Sequence, residues 1–276
     1  MERNSGSTWV VTARAATVFG VAVLLSGGAA AQAGPDDWQF RAMIYGYLPT
    51  IGGSTTFPSG AGSDISVDAA KIISHLKFTF MGSLEAQKDR WGVFTDILYL
   101  DVGGSKSGTR DLTIGGVALP ASVSANASLD LKGLVWRLAG SYRALATPEA
   151  NFDVFAGARL LSVKERLGWE FSADVGPFVG AGRTGSSSVK LDNWDGIVGA
   201  KGRVTFGERR DWFVPYYVDV GTGDSKLTWQ GIAGIGYAYS WGEVTATWRY
   251  LDYKFKNATF ESVNFNGPVV GVAFHW

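Results

Sequence analysis

The chain has 276 residues, with 25 Lys+Arg against 25 Asp+Glu and a formal net charge of zero. It carries no basic block, so the electrostatic footprint of a nucleic-acid binder is missing and no nucleic-acid partner is implied. Cysteine is absent, which excludes disulfides, thiolate metal sites, cysteine nucleophiles and a lipidated cysteine, while 11 Trp and 37 Gly among few charges point away from disorder and toward short strands and tight turns.

Residues 1–33 read as a cleaved signal peptide. Arg3 and Arg14 precede an apolar run from Ala15 to Leu25, and Ala29-Ala30-Ala31 and Ala31-Gln32-Ala33 both match the small-x-small cleavage pattern, giving cleavage after Ala31 or Ala33. The alternative, a single membrane anchor, asks more length than this run has. No later stretch is long and apolar enough for a transmembrane helix. If residues 34–276 enter a membrane, they enter as a single closed barrel.

The mature part alternates with period two, the mark of strands with two unlike faces. Ten segments show it in order: Trp38–Leu48, Lys77–Gln87, Trp91–Leu100, Leu134–Arg143, Phe152–Leu161, Trp194–Phe206, Trp212–Val220, Trp229–Tyr239, Val244–Tyr250 and Val270–Trp276. In each, one parity is free of charge and the other collects it. Pro215 falls inside the seventh segment and deletes a ladder bond, which suggests a bulge. Between the first two segments, Asp64–Leu76 breaks the alternation. Ile72, Ile73 and Leu76 take helical spacing there, which predicts a short helix lying on the barrel rim, with a partial plug in the mouth as the alternative.

The connections discriminate a barrel from a soluble sandwich. Short ones (Lys88–Arg90, Ala144–Ala150, Gly207–Arg210, Ser240–Gly242) alternate with longer ones (Pro49–Leu76, Gly103–Lys132, Ser162–Asn193, Gly221–Leu227, Lys256–Gly267). Outer-membrane barrels have short periplasmic turns, longer external loops and an even strand number. The expected fold is therefore an all-β, transmembrane, up-and-down antiparallel barrel of ten strands, or eight if Trp194–Phe206 or Trp229–Tyr239 is not a strand. Trp38, Trp91, Trp212, Trp241 and Trp276 sit at the short-turn ends and Trp194 and Trp229 near the other, as two aromatic girdles would require.

The last residues, Gly271-Val272-Ala273-Phe274-His275-Trp276, resemble the C-terminal assembly signal of outer-membrane proteins, carried by Val272, Phe274 and Trp276, although Trp replaces the usual terminal Phe. Over roughly residues 38–276 the chain is similar to small proteobacterial outer-membrane barrels of the porin-like and OmpA-like group. The stretches that carry this are Trp91-Gly92-Val93-Phe94-Thr95-Asp96-Ile97-Leu98-Tyr99-Leu100, Thr228-Trp229-Gln230-Gly231 and Trp248-Arg249-Tyr250-Leu251-Asp252-Tyr253. The resemblance implies a Gram-negative outer membrane, contact with lipid and lipopolysaccharide, and the barrel-assembly machinery as a partner during biogenesis. It brings no catalytic residue and no cofactor.

The lumen parity supplies the candidate site: Arg41, Arg137, Arg143, Arg159, Lys201, Arg203 and Arg249, with Lys77, against Glu85, Asp96, Asp153, Asp195, Asp219 and Glu243. Met43, Met81, Phe94, Leu98, Phe155, Ile197 and Leu251 share that parity. Two functions follow: a narrow passive channel for small solutes, or a plugged structural or surface-interaction barrel that presents its loops. A hydrolase is the third reading. It needs a His beside a nucleophile or carboxylate, and of the two His present, His75 near Asp68 is the candidate while His275 reads as a rim residue. Gly103-Gly104-Ser105-Lys106-Ser107 lacks the spacing of a phosphate loop and reads as loop glycine.

Overall fold

The computed structural model describes residues 38–55, 63–67, 70, 72, 76–108, 113–114, 117–118, 123–175, 178–179, 183–256 and 260–276. The proposed leader, 1–33, lies outside them. Fifteen strands follow in order: β1 Gln39–Tyr47, β2 Thr50–Thr55, β3 Ser63–Val67, β4 Leu76–Lys88, β5 Trp91–Gly108, β6 Thr113–Ile114, β7 Val117–Ala118, β8 Val123–Ala146, β9 Ala150–Val175, β10 Phe178–Val179, β11 Arg183–Phe206, β12 Trp212–Gly223, β13 Ser225–Tyr239, β14 Gly242–Phe255 and β15 Phe260–His275. The wall runs β1-β4-β5-β8-β9-β11-β12-β13-β14-β15 and closes through β1 and β15, from Arg41 opposite His275 to Tyr47 opposite Val269. Every pairing is antiparallel and each of the ten wall strands lies beside its neighbours in sequence, so the barrel is up-and-down. Closure leaves the wall no free edge over this height.

Period-two alternation decides which face of each strand points where. Leu84, Val93, Leu138, Val154, Val198, Val218 and Val270 are exposed on the outside, while Asp96, Arg137, Asp153, Arg159, Asp195, Asp219 and Arg249 are buried inside. This inverts the arrangement of a water-soluble barrel, whose charges face outward. The tight turns carry the strain: Asp89 between β4 and β5 has φ 52°, and Gly207 and Arg210 between β11 and β12 have φ 87° and 57°.

Three sequence expectations change here. The stretches read as long loops are largely strand: β5, β8, β9 and β11 have 18, 24, 26 and 24 residues, against 12 in β12. Gly103–Ser107 is part of β5 and pairs with β8, not a loop. The physical reason is that the backbone ladder needs no apolar parity, so a stretch such as Gly103–Ser107, with no apolar side chain to mark one face, pairs all the same. Within Asp64–Leu76, Ser63–Val67 is a strand paired with β2; Ala70 and Ile72 alone among its described residues are helical. Ile72 is buried among lumen side chains rather than lying on the rim, because an apolar side chain next to an apolar interior gains by leaving water. Pro215 makes no bulge. It stays in register opposite Arg203 on β11, and toward β13 the pairs resume at the same register after a gap between Phe213 opposite Gly236 and Tyr216 opposite Ala233. Without an N–H the ladder loses contacts but not its count.

At Gly236 a side chain closely approaches the wall. The buried Phe213 ring lies over it, where a Cβ would overlap the ring. Gly236→Val is expected to cost about 1–3 kcal/mol by overpacking, read as a lower urea midpoint of the folded protein in detergent micelles.

Candidate functional site

The interior is organised in three levels from the short-turn end. The first is a cavity of about 290 Å³ whose lining includes Arg41, Glu85, Arg143, Asp153, Lys201, Arg203, Glu243 and His275. Its charges are paired. Glu243 accepts from Arg41 at 3.3 Å, from Arg203, and stands 3.2 Å from His275 Nε2. Arg143 holds Asp153 with two hydrogen bonds, Nε to Oδ1 at 2.8 Å and a second nitrogen to Oδ2 at 3.2 Å, the bidentate geometry that suits a guanidinium. Lys201 pairs with Glu85 and lies 4.4 Å from the centre of the Phe94 ring.

The second level is a buried ionic layer. Asp96, Arg137, Arg159 and Asp195 stand directly opposite one another across β5, β8, β9 and β11. Asp96 lies 3.5 Å from Arg137 on the neighbouring strand and, across the lumen, 3.4 Å from Arg249, and accepts from the Tyr45 hydroxyl at 2.9 Å. Arg249 donates to Tyr45 Oη at 3.1 Å and to Gln230 Oε1 at 3.0 Å. Asp219 pairs with Arg159, lies 3.8 Å from Arg137 and accepts from Tyr217 at 2.5 Å. Arg159 also donates to Thr228 at 3.0 Å. Asp195 accepts from Asn193 at 2.6 Å and from the Ser225 amide at 2.9 Å. Three carboxylates (Asp96, Asp195, Asp219) face three guanidiniums (Arg137, Arg159, Arg249), so the layer is neutral. Charges this deep persist only with partners and hydrogen bonds. Arg137 adds an aromatic contact, 4.3 Å from the centre of the Tyr217 ring.

Above it lies an apolar cluster: Tyr45, Tyr47, Ile72, Met81, Leu98, Leu100, Val135, Leu161, Leu251, Tyr253, Phe255 and Val269. Tyr253 stacks on Phe255 at 5.9 Å. This cluster lies on the side of the ionic layer farther from the short turns.

The candidate charges thus divide. Arg41, Glu85, Asp153, Lys201 and Arg203 line the cavity, and Asp96, Arg137, Arg159, Asp195, Asp219 and Arg249 form the ionic layer. Tyr45, Tyr217, Thr228 and Gln230 complete that layer without having been singled out. They share the charged parity, and only their spatial partners reveal the role. His75 and Asp68 lie outside the described residues. On the exterior, Trp38, Trp91, Trp212, Trp241 and Trp276 are all exposed at the short-turn end. Four of them join two aromatic chains, Trp38–Phe40–Trp276 and Phe206–Trp212–Tyr237–Tyr239–Trp241–Phe274, while Trp91 meets Tyr142 edge to face at 5.0 Å. At the far end Trp194 meets Trp136 at 5.9 Å and Trp229 meets Tyr250 at 4.8 Å.

No protein-family model matches the sequence, and no curated protein matches it. Among solved structures, the chain is similar to the outer membrane protease OmpT from Escherichia coli (10% identity, 87% of this chain and 97% of that one, TM-score 0.49). It is similar to the translocator domain of the autotransporter NalP from Neisseria meningitidis (13% identity, 86% and 88%, TM-score 0.40). A third similar structure is the toluene transporter TodX of Pseudomonas putida (10% identity, 87% and 90%, TM-score 0.32). These are outer-membrane barrels of different activities, and at such identity none lends its activity to this chain.

Proposed function

We propose that this protein is an outer-membrane barrel of a Gram-negative bacterium that is closed to flux at rest and serves as a structural and surface-presenting element without catalytic turnover. The carrying observation is the filled lumen: a neutral, fully buried ionic layer topped by an apolar cluster. An ion crossing it would shed its hydration against Leu98, Leu161, Leu251 and Tyr253, which is costly. In this reading residues 1–33 are the leader, the short turns are periplasmic, and Val272, Phe274 and Trp276 are read by the assembly machinery. The tall hairpins β5–β8 and β9–β11 then stand outside the cell, where long variable elements meet partners.

A second reading, a gated channel for small solutes, has its own support. A further cavity of about 180 Å³ adjoins the first and shares Arg41, Glu85, Lys201, Pro215 and Tyr217 with it, so the periplasmic half is hollow up to the ionic layer. Planar-bilayer recording of the folded protein separates the two. The closed barrel gives no discrete steps, while a variant with Leu98, Leu161, Leu251 and Tyr253 all changed to Ala, shown to be folded by heat-modifiable migration, conducts. Steps from the unaltered protein, with an ion preference that shifts in Arg41→Glu and Arg203→Glu, would instead make it a channel.

A further inference from the structure

The exterior of the wall carries a row of lysines that no sequence window contains. Lys132 on β8 stands directly opposite Lys164 on β9, and Lys164 stands directly opposite Lys190 on β11. All three are exposed. Like charges in directly opposed cross-strand positions oppose folding, and here two such pairs share one lysine. Carboxylates temper only the ends of the row. Lys132 pairs with Asp101 at 2.9 Å, and Lys190 with Asp192 at 2.5 Å, itself hydrogen-bonded by Ser162 at 2.6 Å. Lys164, in the centre, has no ionic partner among the described residues.

The height of the row identifies what balances it. Trp91, Tyr142, Val154 and Ala200 form one rung near the short-turn end, and Asp101, Lys132, Lys164 and Lys190 form another, ten residues farther along each of the four strands. Ten residues at about 3.3 Å each, on strands tilted about 40°, span about 25 Å of height, the thickness of the apolar band of an outer-membrane barrel. Between the two rungs the outward side chains include Val93, Leu138 and Val198, and Trp136 and Trp194 meet edge to face two rungs below the lysines. The row therefore lies at the polar edge of the outer leaflet, with an apolar and aromatic surface beneath it for acyl chains.

We propose that Lys132, Lys164 and Lys190 form a binding site for the phosphate groups of an outer-leaflet lipid, whose chains lie against the wall below. The bound phosphate relieves the repulsion within the row. The site rests on the outer-membrane reading above. It also explains why the lysines sit on the outside of a face that, below Ser162 and Asp192 just under the row, is largely apolar down to the short turns.

The probe is diphosphorylated lipid A, added to the folded protein in a zwitterionic detergent and counted by native mass spectrometry. It is compared with the same lipid after dephosphorylation and with inorganic phosphate. The parent should bind the phosphorylated lipid, and the variant carrying Lys132→Gln, Lys164→Gln and Lys190→Gln should bind it about 10- to 100-fold more weakly. Arg209→Gln, at the opposite end of the barrel, should leave binding unchanged. Equal affinity of the triple variant and the parent would overturn the site. So would equal affinity for both lipid forms, or displacement of the lipid by millimolar inorganic phosphate. Heat-modifiable migration shows that each variant is folded. Insertion of the parent into lipid vesicles, measured separately, tests the membrane reading itself: failure there sinks that reading, whereas insertion with lysine-independent lipid binding sinks only this proposal.

Discussion

Asp219→Ala is expected to destabilise the folded barrel by about 3–5 kcal/mol, the cost of breaking a buried ion pair from one side. Asp219 has a fully buried carboxylate, and Arg159 beside it is 1% exposed. Removing the acid leaves Arg159 without its ionic partner and strips Arg137 of one of two, so two guanidiniums remain in a low-dielectric interior. The measurement is urea unfolding of the protein in lipid vesicles, followed by tryptophan fluorescence. Its companion is the double change Asp219→Leu with Arg159→Met, which removes both charges and should recover most of the loss, because apolar side chains of similar size replace an ion pair at little cost. A loss under about 1 kcal/mol for the single change would mean that water reaches Asp219, and the closed lumen would fall with that result.

The second large effect belongs to the outside. Leu138 is 45% exposed on the exterior of β8, near mid-height between the Tyr142 and Lys132 rungs. Leu138→Arg is expected to cost about 2–4 kcal/mol when the barrel sits in a bilayer, the penalty for a lipid-facing arginine near the midplane. Ser162→Arg, one rung below the lysine row, should cost about 0–1 kcal/mol, as expected near an interface. The same unfolding assay in vesicles reads both. Equal, small costs at the two positions would mean that Leu138 faces water and that the apolar exterior is covered by something other than lipid.

Much of this architecture was legible before any coordinates. Each of the ten expected segments lies in or overlaps one wall strand, and the parities hold, with Asp96 inward and Val93 and Ile97 on the other face. The reason is that side-chain direction in a strand is set by a period of two, independent of the partner. Turn lengths were legible for a similar reason, since Asp89 and Gly207 mark chain reversals locally. What the reading missed is the upper part of β5, β8, β9 and β11. In a stretch such as Gly103-Gly104-Ser105-Lys106-Ser107, neither parity carries an apolar side chain, so periodicity has nothing to report, although the backbone ladder runs on. Pro215 was misread as a bulge because a missing N–H is visible in one strand, whereas register is a property of two.

The candidate site divides along the same line. That Arg41, Asp96, Arg159 and Asp219 belong to the charged parity follows from the sequence alone. That Asp219 holds Arg159, that Tyr45 and Gln230 join Asp96 around Arg249, and that Ile72 turns into the lumen could only come from tertiary structure. Strand stagger and barrel closure bring together residues separated by 60 positions in Arg159 and Asp219 and by 204 in Tyr45 and Arg249. The lysine row has the same origin. One strand specifies which way each lysine points, and the register between strands, fixed by the turns and the closed ladder, decides that three of them meet.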